Sequence, residues 1–408
     1  MNSFEGPRPV VDGHVLSVDG DGRVLVDGRR PQAGDGVARA IAALVLDGLA
    51  TDGLAVDAPE RGIAVDQTNT SVIVDDRFVV KIVGRWAAAD RAGHLLERLA
   101  EAGSDDVARL HGRVGWRHPE LGESTLAIVT EYLPGAEDGW TWAVDDVVAA
   151  VEAEAGSAAD GGPAGSADPT WPATLGTKVA RIHDVLGAES TPSGADAASA
   201  RRDRAADALA RAVAAGDGPT GVRLRNRREA LARDIRSLEA TSPGIEFPIH
   251  GDLHLGQVLV SPDADAPDGR RYTVIDFDGD PQLDAADRER ADAAARDVAH
   301  LLVSLDLVAA VAQKRLRRAD DRAWSWADRA RADLLAAYRA ELTRTDLFDP
   351  ALLPGFEAEQ LAAELHYADR FLPPWRYAPD AAITHRYAST NETPESPWTP
   401  PPFEPTST

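Results

Sequence analysis

At 408 residues the chain has room for two or three domains with sizeable cores. Its 67 acidic side chains outnumber 43 basic ones, for a formal net charge of −24, which excludes nucleic acid and anionic membrane as partners over most of the surface. It has no cysteine, hence no disulfide framework, thiolate zinc site or cysteine nucleophile, and no stretch of eighteen apolar residues or basic-then-apolar leader. The expectation is a cytoplasmic protein with no obligate protein partner.

Residues 9–30 alternate apolar and polar positions around Asp-Gly pairs, the pattern of short antiparallel strands joined by tight turns. Helical spacing follows from Val37 to Leu49, and the two together suggest a small cap subdomain over residues 1–55. A second unit, 56–133, reads as a sheet with one helix. Ile63–Val74 is a strand, a polar turn and a strand, and Phe78-Val79-Val80-Lys81-Ile82-Val83 is a further strand that contains one of only three lysines. Lys81 is either an edge-strand lysine that snorkels to water or a phosphate-binding lysine beneath a polar turn. On the helix from about Ala87 to Ala102, Glu97 is the best-placed carboxylate partner for it. The apolar run Leu126–Val129 continues through Thr130-Glu131-Tyr132-Leu133 and leaves at Pro134, as the hinge of a nucleotide-binding protein does.

Residues 134–388 turn helical and alanine-rich. Ala155–Ala167 and Ala188–Ala200 read as flexible low-complexity loops, a long polar helix spans about Ala205–Ala240, and another helix starts at Ala285. His183 lies on an apolar helix face and reads as a packed core residue. Residues 389–408 form a Pro-rich tail.

Within the helical part, Ile249-His250-Gly251-Asp252-Leu253-His254-Leu255-Gly256-Gln257-Val258-Leu259-Val260 reads as a short strand, a polar loop and a second short strand; the Pro/Asp/Gly cluster Ser261–Gly269 is a turn, and Tyr272-Thr273-Val274-Ile275 is the returning strand, ending in Asp276-Phe277-Asp278. Such a hairpin brings Asp252 and Gln257 toward Asp276. Two carboxylates and an amide oxygen suit a hard cation such as Mg²⁺, with Gln257 and Asp276 on the metal and Asp252 left to orient or deprotonate a hydroxyl. Phosphoryl transfer needs mainly positioning and charge neutralisation, which such a set supplies together with a lysine.

These motifs resemble the aminoglycoside phosphotransferase-like kinases, and among them the maltokinase branch. The matching residues are His250–Gln257, Ile275–Pro281 and Arg296-Asp297-Val298-Ala299, with Gln67–Ser71 and Lys81. The resemblance covers residues 10 to 385 and implies an α+β, bilobal, protein-kinase-like fold with an N-terminal cap and a mostly helical C-terminal lobe. It further implies ATP and Mg²⁺ as cofactors, Asp252 as catalytic base, Gln257 and Asp276 as metal ligands, and Lys81, Thr70, Ser71, Glu131 and Leu133 around the nucleotide. Gln257 departs from the asparagine usual in the wider superfamily.

The run Glu364–Asp380, with Pro373-Pro374-Trp375-Arg376-Tyr377 at its centre, is similar to a signature of bacterial glucosamine kinases. That resemblance makes a small-molecule sugar the partner, with an amino sugar ahead of maltose or an aminoglycoside. Trp375 would supply a ring platform, and Asp252, Asp297, Glu364 and Asp380 would be carboxylates for hydroxyls or an ammonium. Trp375 read as a packing corner, a metallophosphoesterase built on Gly251-Asp252-Leu253-His254, and a catalytically silent binding module are the competing readings.

Overall fold

The computed structural model describes residues 2–47, 53–63, 69–86, 91–159, 170–194, 196–239, 244–266, 268–283 and 285–388. It divides into two units, one of residues 1–137 with 258–290 and one of residues 138–257 with 291–408. The first opens with β1 (Asn2–Glu5), β2 (Val10–Val11), β3 (His14–Val18), β4 (Val24–Val26), α1 (Val37–Leu46), β5 (Glu60–Gly62) and β6 (Thr70–Val74). It continues with β7 (Phe78–Ile82), α2 (Arg91–Glu101), β8 (Leu110–His118) and β9 (Gly122–Glu131). Six strands pair in the order β1-β8-β9-β7-β6-β5, antiparallel except for β1 against β8.

Local chemistry explains this order. Asp75 and Asp76 both hold positive φ, and Arg77 N–H closes the turn on the Val74 carbonyl at 3.1 Å, the type I′ geometry that suits a twisted hairpin. Along β7 the side chains alternate, with Phe78, Val80 and Ile82 buried and Val79 and Lys81 on the opposite, half-open face. At the start of helix α1 the Asp35 carboxylate accepts from Val37 N–H at 3.0 Å. The Glu60 carboxylate also accepts from the backbone N–H groups of Gly34, Gly36 and Arg39 at 2.6, 3.1 and 2.8 Å, placing a second anion at the positive end of the helix.

Residues 1–55, expected as a small cap packed on its neighbour, fall in the same unit as that neighbour. Leu16, Ile41 and Leu46 share one core with Val80, Ile82, Trp116 and Val129, because a unit so small cannot bury enough apolar surface alone. Strand β7 is not an edge strand, since it pairs with both β6 and β9.

β10 (Glu137–Asp138) leads to the second unit, which holds α3 (Gly139–Ala159), α4 (Trp171–Leu186), β11 (Thr191–Pro192), α5 (Ala197–Ala215), α6 (Gly218–Ile235) and β12 (Ile245–Glu246). The chain then returns to the first unit for the antiparallel hairpin of β13 (Val258–Pro262) and β14 (Arg270–Val274), and for α7 (Ala285–Arg288). It ends in the second unit with α8 (Ala294–Leu316), α9 (Asp321–Glu341), α10 (Leu353–Phe371) and α11 (Tyr377–Arg386). The hairpin thus groups with the sheet unit and not with the helical one. Val274 N–H donates to the Asp106 carbonyl at 2.9 Å, which ties it there.

Other expectations are corrected in the helical unit. The helix placed at Ala205–Ala240 is two, broken at Gly216-Asp217-Gly218, and the helix placed from Ala285 begins in full only at Ala294. The end of the Ala188–Ala200 patch is the first turn of α5. Part of the Ala155–Ala167 patch, the turn residues Gln67 and Thr68, and the tail from 389 lie outside the described residues. Helix α8 is buried on nearly every face and is the core of its unit. Among the described residues no helix is long and apolar enough to cross a membrane.

Helices α4 and α9 touch backbone to backbone at Gly176, where an added Cβ would lie 2.2 Å from the Leu334 carbonyl oxygen and 3.0 Å from the Tyr338 nitrogen. Helix propensity alone favours Gly→Ala by about 1 kcal/mol. The overlap reverses that sign, so Gly176→Ala is expected to destabilise by about 1–3 kcal/mol. Thermal denaturation against Gly194→Ala, whose added methyl meets nothing within 4 Å, checks it.

Candidate active site

In the sheet unit, Lys81 Nζ lies 2.5 Å from Asp276 Oδ1 and 2.8 Å from Asp278 Oδ2. Burial works against its charge, but Asp278 and Asp276 outweigh burial and hold its pKa above the ordinary lysine value. Glu97, the expected partner, instead accepts from Arg113 Nε at 2.6 Å. The correction has a geometric reason: Lys81 faces the hairpin end, and α2 offers Glu97 to β8. Asp276 lies two residues past the end of β14 and sits at φ 64°, a left-handed conformation uncommon for a side-chain-bearing residue and concentrated at functional sites. Asp278, to which the motif alone gave no role, also accepts from Asn69 Nδ2 at 2.7 Å. Asn69 Oδ1 in turn accepts from Gly84 N–H at 3.2 Å, so this side chain bridges Gly84 and Asp278.

Around this cluster Ser71 stands opposite Lys81 in the β6–β7 register, and Thr70 Oγ1 donates to the Pro31 carbonyl at 3.3 Å. Glu131 Oε1 accepts from Arg271 on β14 at 2.8 Å and from the Arg109 N–H at 3.0 Å. Leu133 is buried, and its carbonyl accepts from Ala136 N–H at 3.2 Å.

In the helical unit, Asp252 sits on the loop that follows Ile249. Asp297, in the first turn of α8, is 0% exposed. Its Oδ2 accepts from His250 N–H at 2.7 Å and its Oδ1 from Gly251 N–H at 2.8 Å. His183 Nε2 lies 3.2 Å from Oδ2, and His183 Nδ1 lies 2.8 Å from the Tyr338 hydroxyl. Burial alone would push the Asp297 carboxyl up. The hydrogen bond from His183, the two imidazoles and the Gly251 N–H outweigh it and hold the group well below the ordinary carboxylate range. Asp297 is therefore a fixed anion under the loop and has no oxygen turned to a substrate, contrary to the sequence expectation. His183 is buried, as read, but it is a polar link and not only a packing residue.

The loop holds two features that sequence reasoning missed. His254 Nδ1 accepts from Gly256 N–H at 3.0 Å, so in the neutral ring the proton is on Nε2, which lies 3.8 Å from Asp252 Oδ2. Trp140, at the start of α3, tilts against His254 with ring centres 6.4 Å apart and stands edge-on to Trp375 at 5.4 Å. The signal for His254 was its place two residues after Asp252; nothing local marked Trp140. Gln257 N–H donates to the His254 carbonyl at 2.9 Å, and Gln257 joins the hairpin through the next peptide bond. Glu364, on α10, accepts from Gln360 at 3.1 Å and is half-buried. Asp380 is buried against Thr220 and Arg223, so it too is spent on structure.

The model of the phosphotransferase enzyme family matches residues 60–279. A glucosamine kinase of Streptacidiphilus jiangxiensis is 38% identical over 391 residues, covering 90% of this chain and 83% of that protein. One from Mycolicibacterium smegmatis is 36% identical over 333 residues, covering 79% and 78%. Among solved structures, a glucosamine kinase in complex with glucosamine, ADP and inorganic phosphate superposes with a TM-score of 0.76 at 33% identity, over 93% of each chain. A further crystal form of a glucosamine kinase gives 0.78 at 33% identity, over 94% of this chain and 95% of that one.

The buried electrostatics around the loop have a pH signature. Burial holds the His300 pKa well below its ordinary value; Arg296 adds to this and Asp297 opposes it without prevailing. The unfolded chain therefore takes up a proton near pH 6.5 that the folded chain refuses. Stability is full above that pH and is lost as the pH falls toward the folded value. Below about pH 6.5 the unfolding free energy of the wild type should fall by up to about 1.4 kcal/mol per pH unit more steeply than that of His300→Gln. Denaturant titrations at several pH values measure this, and parallel curves would contradict it.

Proposed function

The chain belongs to the phosphotransferase enzyme family, and we propose that this sugar kinase transfers the γ-phosphoryl group of ATP to the 6-hydroxyl of glucosamine. The observation that carries the reading is the likeness, over nearly the whole chain, to glucosamine kinases, one of them solved with glucosamine and ADP.

Asp252 acts as base. Its carboxylate takes the proton of the 6-hydroxyl as that oxygen bonds to the γ-phosphorus and the bond to the bridging oxygen of the ADP leaving group breaks. His254 Nε2 lies 3.8 Å from Asp252 Oδ2, beside the carboxylate. Lys81 contributes positive charge to the nucleotide phosphates. Its present partners are Asp276 and Asp278, which place carboxylate oxygens beside its ammonium. Asp276 and Gln257 offer the hard oxygen donors that Mg²⁺ takes, one or two protein ligands alongside substrate phosphates. When bound, the ion neutralises charge on the phosphate oxygens. Thr70, Ser71, Glu131 and Leu133 are the proposed nucleotide contacts. Glu364 and the Trp140–Trp375 pair are the proposed acceptor contacts, a carboxylate for the sugar ammonium and aromatic faces for its ring.

ADP release with Mg-ATP against glucosamine, glucose, maltose and an aminoglycoside tests the assignment. Glucosamine is expected to give the highest kcat/KM. Turnover on maltose alone would move the substrate to a disaccharide, and no acceptor-dependent turnover would overturn the reading. In Asp252→Asn, turnover is expected to fall at least about 100-fold while ATP binding, followed by calorimetry, stays within a few-fold. Loss of ATP binding would refute the role of Asp252 as base.

A further inference from the structure

Resting on that reading, we infer that Tyr338 and His183 are positioning residues for phosphoryl transfer: together with Asp297 they form a buried relay that fixes the backbone carrying Asp252. Neither side chain reaches the reacting atoms. Both are fully buried and come from different helices, His183 from α4 and Tyr338 from α9.

The relay runs in one direction. The Tyr338 phenol stays protonated, since burial and the nearby Asp297 and Asp184 charges keep its pKa well above the ordinary value. The Asp297 carboxylate can only accept, so the His183 Nε2–H donates to its Oδ2 across 3.2 Å, and in a singly protonated ring Nδ1 then accepts from the Tyr338 O–H across 2.8 Å. The carboxylate accepts in turn from the N–H groups of His250 and Gly251. Gly251 sits at φ 85°, a conformation that favours glycine, and the next residue is Asp252. A free imidazole would exchange tautomers and could present a lone pair to Asp297. Tyr338 removes that option, as an outer partner does for any histidine whose second nitrogen has work to do.

The fold spends a glycine on this geometry. Gly176 lets α4 meet the α9 backbone at Leu334 and Tyr338, and His183 lies two turns further along the same face of α4. Phe247 stands edge-on to the His183 ring at 5.4 Å and Tyr338 at 5.6 Å, so the ring cannot tip out of line.

The test is a double-mutant cycle with a spectroscopic arm. Tyr338→Phe keeps the packing and removes only the hydroxyl. It is expected to lower kcat about tenfold while leaving KM for ATP and for glucosamine within twofold. His183→Gln keeps an N–H donor for Asp297 but no longer depends on Tyr338, so the double variant should lose no more than His183→Gln alone. In ¹⁵N NMR of the imidazoles, the unprotonated His183 Nδ1 of the wild type should move in Tyr338→Phe toward the position of a nitrogen without a hydrogen-bond donor. Wild-type kcat in Tyr338→Phe, losses that add in the double variant, or an unmoved His183 spectrum would each overturn the relay. The NMR arm needs no sugar. A wild type without acceptor-dependent turnover would therefore bring down the functional reading and leave the relay to be judged by its spectrum.

Discussion

One buried carboxylate holds the loop that carries Asp252 in place. Asp297 gives one oxygen to each of two successive backbone N–H groups, His250 and Gly251, immediately before Asp252. A fully buried anion is costly unless every lone pair has a partner, and here the partners are two amides, an imidazole and the positive end of α8. The arrangement therefore tolerates little change. A loop without this anchor would have to hold a positive-φ glycine and a reactive carboxylate by its own short-range contacts. The buried helix α8 makes the anchor rigid, and the close contact of α4 with α9 makes its imidazole partner available.

The sheet unit solves a different electrostatic problem. In a chain with formal net charge −24, an anionic nucleotide meets general repulsion, and a local concentration of positive charge must overcome it. On the proposed reading Lys81 is the cation that meets the phosphates; it stands on an interior strand, its backbone fixed by β6 on one side and β9 on the other. Asp276 and Asp278 keep it charged despite burial, and Asn69 donates to Asp278. The same reading gives Asp276 to a metal.

What the sequence made legible follows the range of the interactions involved. The two strands of the hairpin, the loop at His250–Gln257 and Lys81 on an alternating strand are set by local pattern, and they were read from it. Partners chosen by tertiary geometry were not. Glu97 looked right for Lys81 because it lay on the next helix, yet the register of β8 gives it to Arg113. Asp297 was recognised as part of a motif and assigned to the sugar, because a sequence does not tell a carboxylate in a pocket from one that accepts from buried amides. His183 was read as core, which its burial supports, but its hydrogen bonds depend on Tyr338, far along the chain. The residues 1–55 read as a cap too small to stand alone, and apolar side chains of theirs such as Leu16 and Ile41 complete the neighbouring core.

The central claim is that Asp297 serves the reaction by holding the loop, with no direct contact to substrate. Asp297→Asn tests it most directly, because the amide keeps the shape and one acceptor oxygen but leaves a buried N–H unpartnered, at about 1–3 kcal/mol. Steady-state kinetics of this variant, with ATP affinity measured in parallel, should show kcat lowered about 100-fold, KM for the sugar little changed and ATP binding intact. An unchanged kcat, or a loss confined to KM for the sugar, would contradict the account and return Asp297 to the acceptor pocket.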